Sequence, residues 1–295
     1  MKFDYDALAA LASVLRTGSF DAAATALGLT QPAVSLRIKR LEDRVGSILV
    51  TRARPCMATP TGARLMRHAE EVGLLEQTLA RDLGALPGEA DRPLRLAVNA
   101  DSLATWVLPA LTEGQGFLFE LTLDDQDHSA DWLKRGEVSG AITSHGAPIP
   151  GCDATALGAL PYVATCSPAF RARWFADGLT AEALSHAPCL TFNRKDTLQA
   201  AWAERLLGRR IALPTHFLPS SHDFVTAARL GLGWGMNPRA LVEADLAAGH
   251  LVDLAPGQTQ STPLTWQVAR QIALALAPLT RALRHQAAAH LLQNS

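Results

Sequence analysis

The sequence contains no apolar run of about 18 residues, the length that a membrane-spanning helix requires, and its N-terminus is acidic rather than apolar. We therefore expect neither a membrane anchor nor a secretion signal, and we expect a cytoplasmic protein. The four cysteines lie far apart and form no Cys-x-x-Cys pair, which argues against a zinc ribbon or a redox motif. The nine histidines include no His-x-x-x-His pair, so we expect no metal and no cofactor.

The common signatures of catalysis are also missing. No Gly-x-Ser-x-Gly, Gly-x-Gly-x-x-Gly or P-loop pattern occurs. Ser221, His222 and Asp223 supply the residue types of a hydrolytic triad, but consecutive residues on a helix point in different directions and cannot form its relay. The glycine-rich stretch 231–235 follows a predicted helix and leads into a predicted strand, which is the reverse of a phosphate-binding loop. We therefore expect a binding protein rather than an enzyme.

Charge is nearly balanced over the whole chain, with a formal net value of −1, but it is unevenly distributed. Residues 1–66 contain 9 Lys and Arg against 5 Asp and Glu, whereas residues 67–295 contain 18 against 23. A basic N-terminal end on an acidic body is typical of a small nucleic-acid-binding module attached to a larger domain. The length of 295 residues fits two or three domains.

The basic end contains a pattern of two short helices joined by a tight turn over residues 19–46, after a first helix over 5–17. Ser19 and Thr30 are placed to cap the two helices of this pair. Four apolar residues of its second helix recur at intervals of four, three and four, so that they share one inward face; they are Val34, Ile38, Leu41 and Val45. The pattern predicts either an ordinary helical hairpin or a helix-turn-helix that enters the major groove of DNA.

A β-prone run over 48–52, a turn at Arg54-Pro55 and a returning run over 57–59 predict a β-wing beside this helix. The wing and the basic charge favour DNA binding over the hairpin alternative. We expect the outer face of the helix to read base edges and the wing arginines to contact phosphates. The predicted DNA-binding residues are Thr30, Gln31, Pro32, Ser35, Leu36, Arg37, Lys39, Arg40, Arg52 and Arg54.

The stretch 61–83 predicts one long helix, followed by a linker rich in proline and glycine. Apolar residues recur along this helix at heptad-like spacing and form a seam; they are Leu65, Ala69, Val72, Leu79 and Leu83. Such a seam requires a partner. The same helix of a second subunit would give a dimer, and the alternative is packing on the body of the same chain.

From Leu94 onward, short strands alternate with helices, which predicts a parallel sheet covered on both faces. The pattern repeats after residue 157, so we expect two α/β lobes with a cleft between them. The complete prediction is an α/β multi-domain chain, with a winged helix-turn-helix over 1–60, a linker helix and linker over 61–90, and an effector-binding domain over 91–295. Lobe I comprises about 91–162 and 268–295, and lobe II about 163–267.

The first 66 residues resemble the winged helix-turn-helix of LysR-type transcriptional regulators. The shared residues are Phe20, Ala23, Ala24, Leu27, the run 30–35, Ile38, Leu41, Glu42, Gly46, Leu49, Arg52, Thr59 and Gly62. The resemblance implies an effector domain like the two-lobed periplasmic binding proteins. It also implies a double-stranded DNA operator, assembly as a dimer or tetramer, and contact with RNA polymerase. Leu36 departs from the family, whose members usually have a polar residue there; a leucine can pack on a thymine methyl instead.

Within that family, residues 96–111, 133–142 and 157–160 are similar to the ArgP and LysG subgroup. This resemblance implies a small-molecule effector, lysine or arginine, and control of a basic amino-acid exporter gene. A LysR-type regulator that senses another amino acid or a carboxylic acid is the alternative.

A free basic amino acid requires donors for its α-carboxylate and carboxylates for its cationic groups. Serine and threonine residues at predicted helix starts are placed to supply the donors; they are Ser102, Thr165, Ser167 and Ser221. Asp124 and Asp125 follow a predicted strand, at the end where α/β clefts bind ligands. We expect one of them to bind the basic side chain, the alternative being a solvated acidic turn. Asp101 is a further candidate, which we expect to be a helix cap.

Overall fold

The structure is a computed structural model. It describes residues 3–82, 93–114, 117–123, 132–133, 136–144 and 147–293. These residues form a small winged helical domain, one long helix and an α/β domain. No helix in these ranges is both long and apolar enough to cross a membrane.

The N-terminal domain packs three helices and a two-stranded wing around one apolar core. Its helices follow the prediction because local signals mark their ends: the Ser19 hydroxyl accepts a hydrogen bond from Ala22 N, and Gly46 adopts the left-handed conformation. Thr30 differs from the prediction, since it makes no side-chain cap. The elements are α1 (Tyr5–Thr17), α2 (Phe20–Ala26), α3 (Gln31–Val45), β1 (Val50–Thr51), β2 (Met57–Ala58) and the long helix α4 (Pro60–Asp82).

The buried apolar residues of α4 are divided between two cores of the same chain. Leu65 and Ala69 belong to the core of the N-terminal domain, and Leu74 belongs to the core of the α/β domain. Leu79 is exposed, and Leu83 lies outside the described residues. The first half of the seam therefore packs on the chain's own winged domain, which is the alternative that its heptad-like spacing left open. A second subunit along the remaining part of the helix stays a prediction.

The α/β domain is organised around a seven-stranded mixed sheet rather than the purely parallel sheet that the pattern predicts. Its strands are β3 (Leu94–Val98), β4 (Phe119–Leu123), β5 (Gly140–Thr143), β6 (Cys152–Cys166), β9 (Gly235–Pro238), β10 (Val252–Asp253) and β11 (Gln260–Ala269), with β7 (Cys189–Thr191) and β8 (Thr215–Phe217) as a separate parallel pair. β3 is parallel to β4 and β5, whereas β11 is antiparallel to both of its neighbours, β5 and β6. Because β6 pairs first with β11 and then with β9, it connects the two lobes.

One continuous helical stretch follows β3 and changes its winding after one turn. It consists of α5 (Ala100–Ser102), a π-helical turn (Leu103–Val107) and α6 (Leu108–Glu113). Short π-helical segments are rare and frequently lie at functional sites. The other helices are α7 (Pro168–Trp174), α8 (Ala181–His186), α9 (Leu198–Leu207), α10 (Ser221–Arg229), α11 (Arg239–Ala247) and α12 (Ala277–His290).

Candidate DNA interface and effector site

The outer face of α3 presents the predicted base-reading side chains to solvent. On the inner face, Val34, Ile38 and Leu41 are buried in the domain core and set the rotation of the helix. Leu36 is 48% exposed, so its side chain is available to a ligand and is not part of the core. The exposed predicted residues of this helix and its start are Thr30, Gln31, Pro32, Leu36, Lys39 and Arg40, with Ser35 half-buried.

Arg37 lies on the flank of α3 and differs from its neighbours. Its guanidinium is 3.0 Å from the carboxylate of Asp6, so the side chain links α3 to α1. Exposed ion pairs of this kind contribute little to stability, since solvent screens them. The structure therefore gives Arg37 a contact between helices, and its contact with DNA stays a prediction.

The wing places positive charge beside α3. The backbone N–H of Cys56 donates to the carbonyl of Gly18 at 2.8 Å, which attaches the wing to the residue that ends α1. The Arg52 guanidinium lies over the ring of Phe20, 5.2 Å from its centroid, a cation–π arrangement. Arg54 is exposed in the turn between the two strands. Both arginines are exposed, and their contact with DNA phosphates stays a prediction.

The half-buried carboxylate of Asp101 marks a second site, in the α/β domain. Asp101 accepts hydrogen bonds from the Tyr162 hydroxyl at 2.7 Å and from the Ser221 hydroxyl at 2.6 Å. Tyr162 is the residue at which β6 changes its partner from β11 to β9, and Ser221 begins α10. Asp101 therefore connects lobe I to lobe II. The expected helix cap is wrong, because the Asn99 side chain caps α5 by accepting from Ser102 N at 2.7 Å.

Burial dominates the electrostatics of Asp101. It raises the pKa of this carboxyl, the hydrogen bonds from Ser221 and Tyr162 lower the pKa, and the charge of Asp196 raises it further. The Asp196 carboxylate itself accepts hydrogen bonds from two backbone N–H groups of its own loop. The site thus holds one half-buried acid, Asp101, with a second acid, Asp196, close enough to influence its pKa. Such an arrangement favours a cationic ligand.

Some buried polar atoms of this domain have no hydrogen-bond partner within the described ranges. Among the described residues, Asn99 Nδ2, Ser102 Oγ and Asn237 Oδ1 are buried polar atoms without a hydrogen-bond partner, and the first two lie within two residues of Asp101 in the sequence. Asn237 lies next to Pro238, the register partner of Tyr162, and its Nδ2 donates to Thr165 Oγ1 at 2.9 Å. Since buried polar groups are nearly always paired, these atoms are available to a polar ligand.

The other predicted effector residues have mixed outcomes. The Ser167 hydroxyl accepts from Phe170 N at 3.3 Å and caps α7, which is a structural role. Asp124 and Asp125 lie outside the described residues. Within the part of the chain that the structure describes, no three His, Cys, Asp or Glu side chains are grouped to hold a metal ion.

The structure adds four residues that the sequence did not indicate: Asn99, Tyr162, Asp196 and Asn237. Tyr162 and Asn237 lie inside strands, where their spacing predicts ordinary sheet positions. Asp196 follows Asn193 in a loop whose side chains organise their own backbone. No local pattern separates Tyr162 from a structural residue, because its contact with Asp101 joins segments that are 61 residues apart in the sequence.

Each of the two large parts of the chain matches a known family. Residues 5–63 match the family described as the bacterial regulatory helix-turn-helix protein, lysR family, and residues 87–292 match the LysR substrate binding domain. The chain belongs to the LysR family. It is a LysR-type transcriptional regulator, with the winged helix-turn-helix as its DNA-binding domain and the two-lobed α/β part as its effector domain.

Similar proteins cover nearly the whole of this LysR-type regulator. It is 43% identical to the HTH-type transcriptional regulator LysG of Mycobacterium tuberculosis over 267 residues, which cover 90% of this chain and 88% of the relative. A crystal structure of ArgP from the same organism superposes with a TM-score of 0.87 at 40% identity, covering 99% of this chain and 100% of that one. The full-length LysG from Corynebacterium glutamicum with bound effector Arg superposes with a TM-score of 0.75 at 35% identity, covering 98% and 100%.

The raised pKa of Asp101 makes the stability of the ligand-free regulator depend on pH. The folded state retains the Asp101 proton to higher pH than the unfolded chain, whose carboxyl has the ordinary value of 3.8. The stabilisation from this group is therefore complete below pH 3.8 and is lost as pH rises through the folded pKa. We expect the difference in free energy of unfolding, Asp101→Asn minus wild type, to increase as pH increases. Urea denaturation over a pH series measures this difference, and a pH-independent difference would contradict the assignment.

Proposed function

We propose that this regulator binds a double-stranded DNA operator as a homo-oligomer, and that L-arginine or L-lysine binds at Asp101 and changes the operator complex. The observation that carries the proposal is the half-buried Asp101 carboxylate, which accepts hydrogen bonds from the Tyr162 and Ser221 hydroxyls at 2.7 and 2.6 Å. A cation is the ligand that offsets the cost of this half-buried charge. The bound effector Arg of LysG from C. glutamicum supports arginine as that ligand.

A basic amino acid matches the chemistry of the site. It carries one carboxylate and two cationic groups, and the site has Asp101 and the nearby Asp196 as acids. Asn99 Nδ2 and Ser102 Oγ are donors suited to an α-carboxylate, and Asn237 Oδ1 is an acceptor suited to an ammonium group. A neutral amino acid would leave one acid without a cationic partner.

At the DNA end, we assign base contacts to the exposed side of α3. We assign phosphate contacts to the wing and to Arg40 on the same helix. The base-contacting residues are Gln31, Ser35, Leu36 and Lys39. The phosphate-contacting residues are Arg40, Arg52 and Arg54. Phosphate contacts supply affinity that falls with salt, whereas base contacts supply sequence preference.

The proposal extends to the cellular role. We assign the protein to the cytoplasm, where its DNA partner is, and assign it a regulatory and not an enzymatic activity. The resemblance to the ArgP and LysG subgroup supports a basic amino-acid exporter gene as its target and RNA polymerase as a partner.

Isothermal titration calorimetry with four amino acids tests the effector assignment. L-arginine and L-lysine are expected to bind at least tenfold more tightly than L-citrulline and L-norleucine, roughly the loss that follows when a charge-assisted hydrogen bond becomes neutral. L-citrulline has nearly the shape of arginine but lacks its side-chain charge, so it isolates the electrostatic contribution. Equal affinity for citrulline and arginine would contradict a basic effector, and binding of a carboxylic acid instead would favour the alternative regulator.

A further inference from the structure

Strand β3 carries both the candidate effector site and a charged contact to the long helix. At its C-terminal end it leads into Asn99 and α5, which bring Asp101 and Ser102 to the site. Arg95 is the second residue of the strand, and its side chain extends to α4. Its Nη2 lies 2.5 Å from both carboxylate oxygens of Glu70. The site residues Asn99, Asp101 and Ser102 thus follow Arg95 by four to seven residues, across the junction of β3 and α5.

The Arg95–Glu70 ion pair is shielded from water on both sides. The two side chains are only 20% and 21% exposed, in contrast to the surface pairs elsewhere in the described chain. Both oxygens of the Glu70 carboxylate accept from one guanidinium nitrogen. Separating such a shielded charged pair is costly. β3 lies between β4 and β5 in the sheet, so Arg95 has a rigid base. A displacement of β3 therefore moves Glu70 with it.

The helix α4 joins the two domains through different parts of its length. Leu65 and Ala69 lie in the core of the winged domain, whereas Leu74 lies in the core of the effector domain. The Arg67 side chain rests directly on Gly136, where any added Cβ would lie 1.7 Å from its Nε. One face of α4 is therefore docked on the effector domain of the same chain.

We propose that the Arg95–Glu70 ion pair transmits effector occupancy from β3 to α4, and through α4 to the winged domain. The inference rests on the proposed effector site. A ligand cation that binds the Asp101 carboxylate competes with the Ser221 hydroxyl of lobe II for the same oxygen atoms. It therefore changes the hydrogen bond that joins the two lobes. β3 and α5 follow lobe I, and the ion pair carries that movement to α4. Glu70 and Arg95 act as positioning residues and contact neither ligand nor DNA.

The test compares coupling with binding in full-length protein. The DNA is a duplex selected by the wild-type protein from a random-sequence library, and its dissociation constant is measured by fluorescence anisotropy with and without saturating L-arginine. The ratio of the two constants is the coupling factor. Glu70→Gln is expected to bring that factor about fivefold closer to one, which is the lower end of typical allosteric couplings. Calorimetry without DNA is expected to show an L-arginine affinity within about twofold of the wild type.

Two further variants separate charge from packing. Glu76→Gln removes a carboxylate from the exposed side of the same helix and is expected to keep the wild-type coupling factor. The exchanged pair Glu70→Arg/Arg95→Glu is expected to restore coupling that Glu70→Gln has lost. The proposal is overturned if Glu70→Gln behaves like Glu76→Gln, if the exchanged pair stays uncoupled, or if the wild-type factor is one. Failure of L-arginine to bind the wild type overturns the proposed effector and this inference together, whereas normal binding with unchanged coupling overturns the inference alone.

Discussion

Replacing Asp101 with Asn is expected to weaken L-arginine binding about 100-fold, because removal of one partner from a buried ion pair costs several kcal/mol and each 1.4 kcal/mol corresponds to a factor of ten. The amide keeps the shape of the side chain and one acceptor for the Tyr162 and Ser221 hydroxyls, so the site geometry is retained. Calorimetric titration with L-arginine and L-citrulline measures the effect. The variant is expected to lose the preference for arginine, since that preference depends on the carboxylate charge.

Asp223→Asn is the matched control for this prediction. It removes an exposed carboxylate from the first turn of α10, the helix that begins with Ser221. We expect its arginine affinity to match the wild type. Thermal unfolding without ligand checks the fold of Asp101→Asn, whose midpoint is expected to rise relative to that of the wild type as pH increases, because burial raises the pKa of the Asp101 carboxyl. An Asp101→Asn variant that binds arginine as tightly as Asp223→Asn does would exclude Asp101 as the cation-binding group.

Neutralising Arg40 and Arg52 together is expected to weaken DNA binding more than tenfold at about 0.1 M salt and to reduce its salt dependence. Each phosphate contact contributes about 0.9 to the slope of log K against log salt, so the Arg40→Gln/Arg52→Gln variant should lose close to two from the slope for each bound subunit. The measurement is fluorescence anisotropy over a salt series, with a duplex selected by the wild-type protein from a random-sequence library.

Arg44→Gln provides the comparison for the double variant. Arg44 is exposed on the same helix but lies in its last turn, away from the groove-facing start. Its removal changes the net charge without removing a proposed phosphate contact, so a much smaller change in slope is expected. Equal slopes for the wild type and the double variant would show that these two arginines make no phosphate contact. The assignment of DNA binding to α3 would then depend on Ser35 and its exposed neighbours alone.

The winged domain could be predicted closely because its signals are local. Ser19 caps α2, Gly46 ends α3, and the apolar stripe of α3 lies within one helix. Each signal operates within a few residues and needs no knowledge of the remaining chain. Thr30 shows the limit of this reasoning, since a residue type that favours capping makes no cap when its side chain is turned elsewhere.

The effector site could be predicted only in part, because its contacts are long-range. Asp101 meets its two hydrogen-bond donors across sequence separations of 61 and 120 residues. Next to Ser102 at a helix start, an aspartate is typical of a cap, and that interpretation was wrong because Asn99 occupies the capping position. Burial between two lobes, which no local pattern encodes, turned this residue into the centre of the candidate site.

The sequence by itself determined the order of the parts: a basic winged module, a long helix and an α/β body with two lobes. Helix caps, apolar periodicity and charge distribution are properties of neighbouring residues, so they can be recognised without a fold. The tertiary structure decided which acid lies at the meeting point of the lobes, and which apolar residues of α4 pack on which domain. It also decided that Arg95 of β3 meets Glu70 of α4, since contacts between distant segments depend on how the whole chain packs.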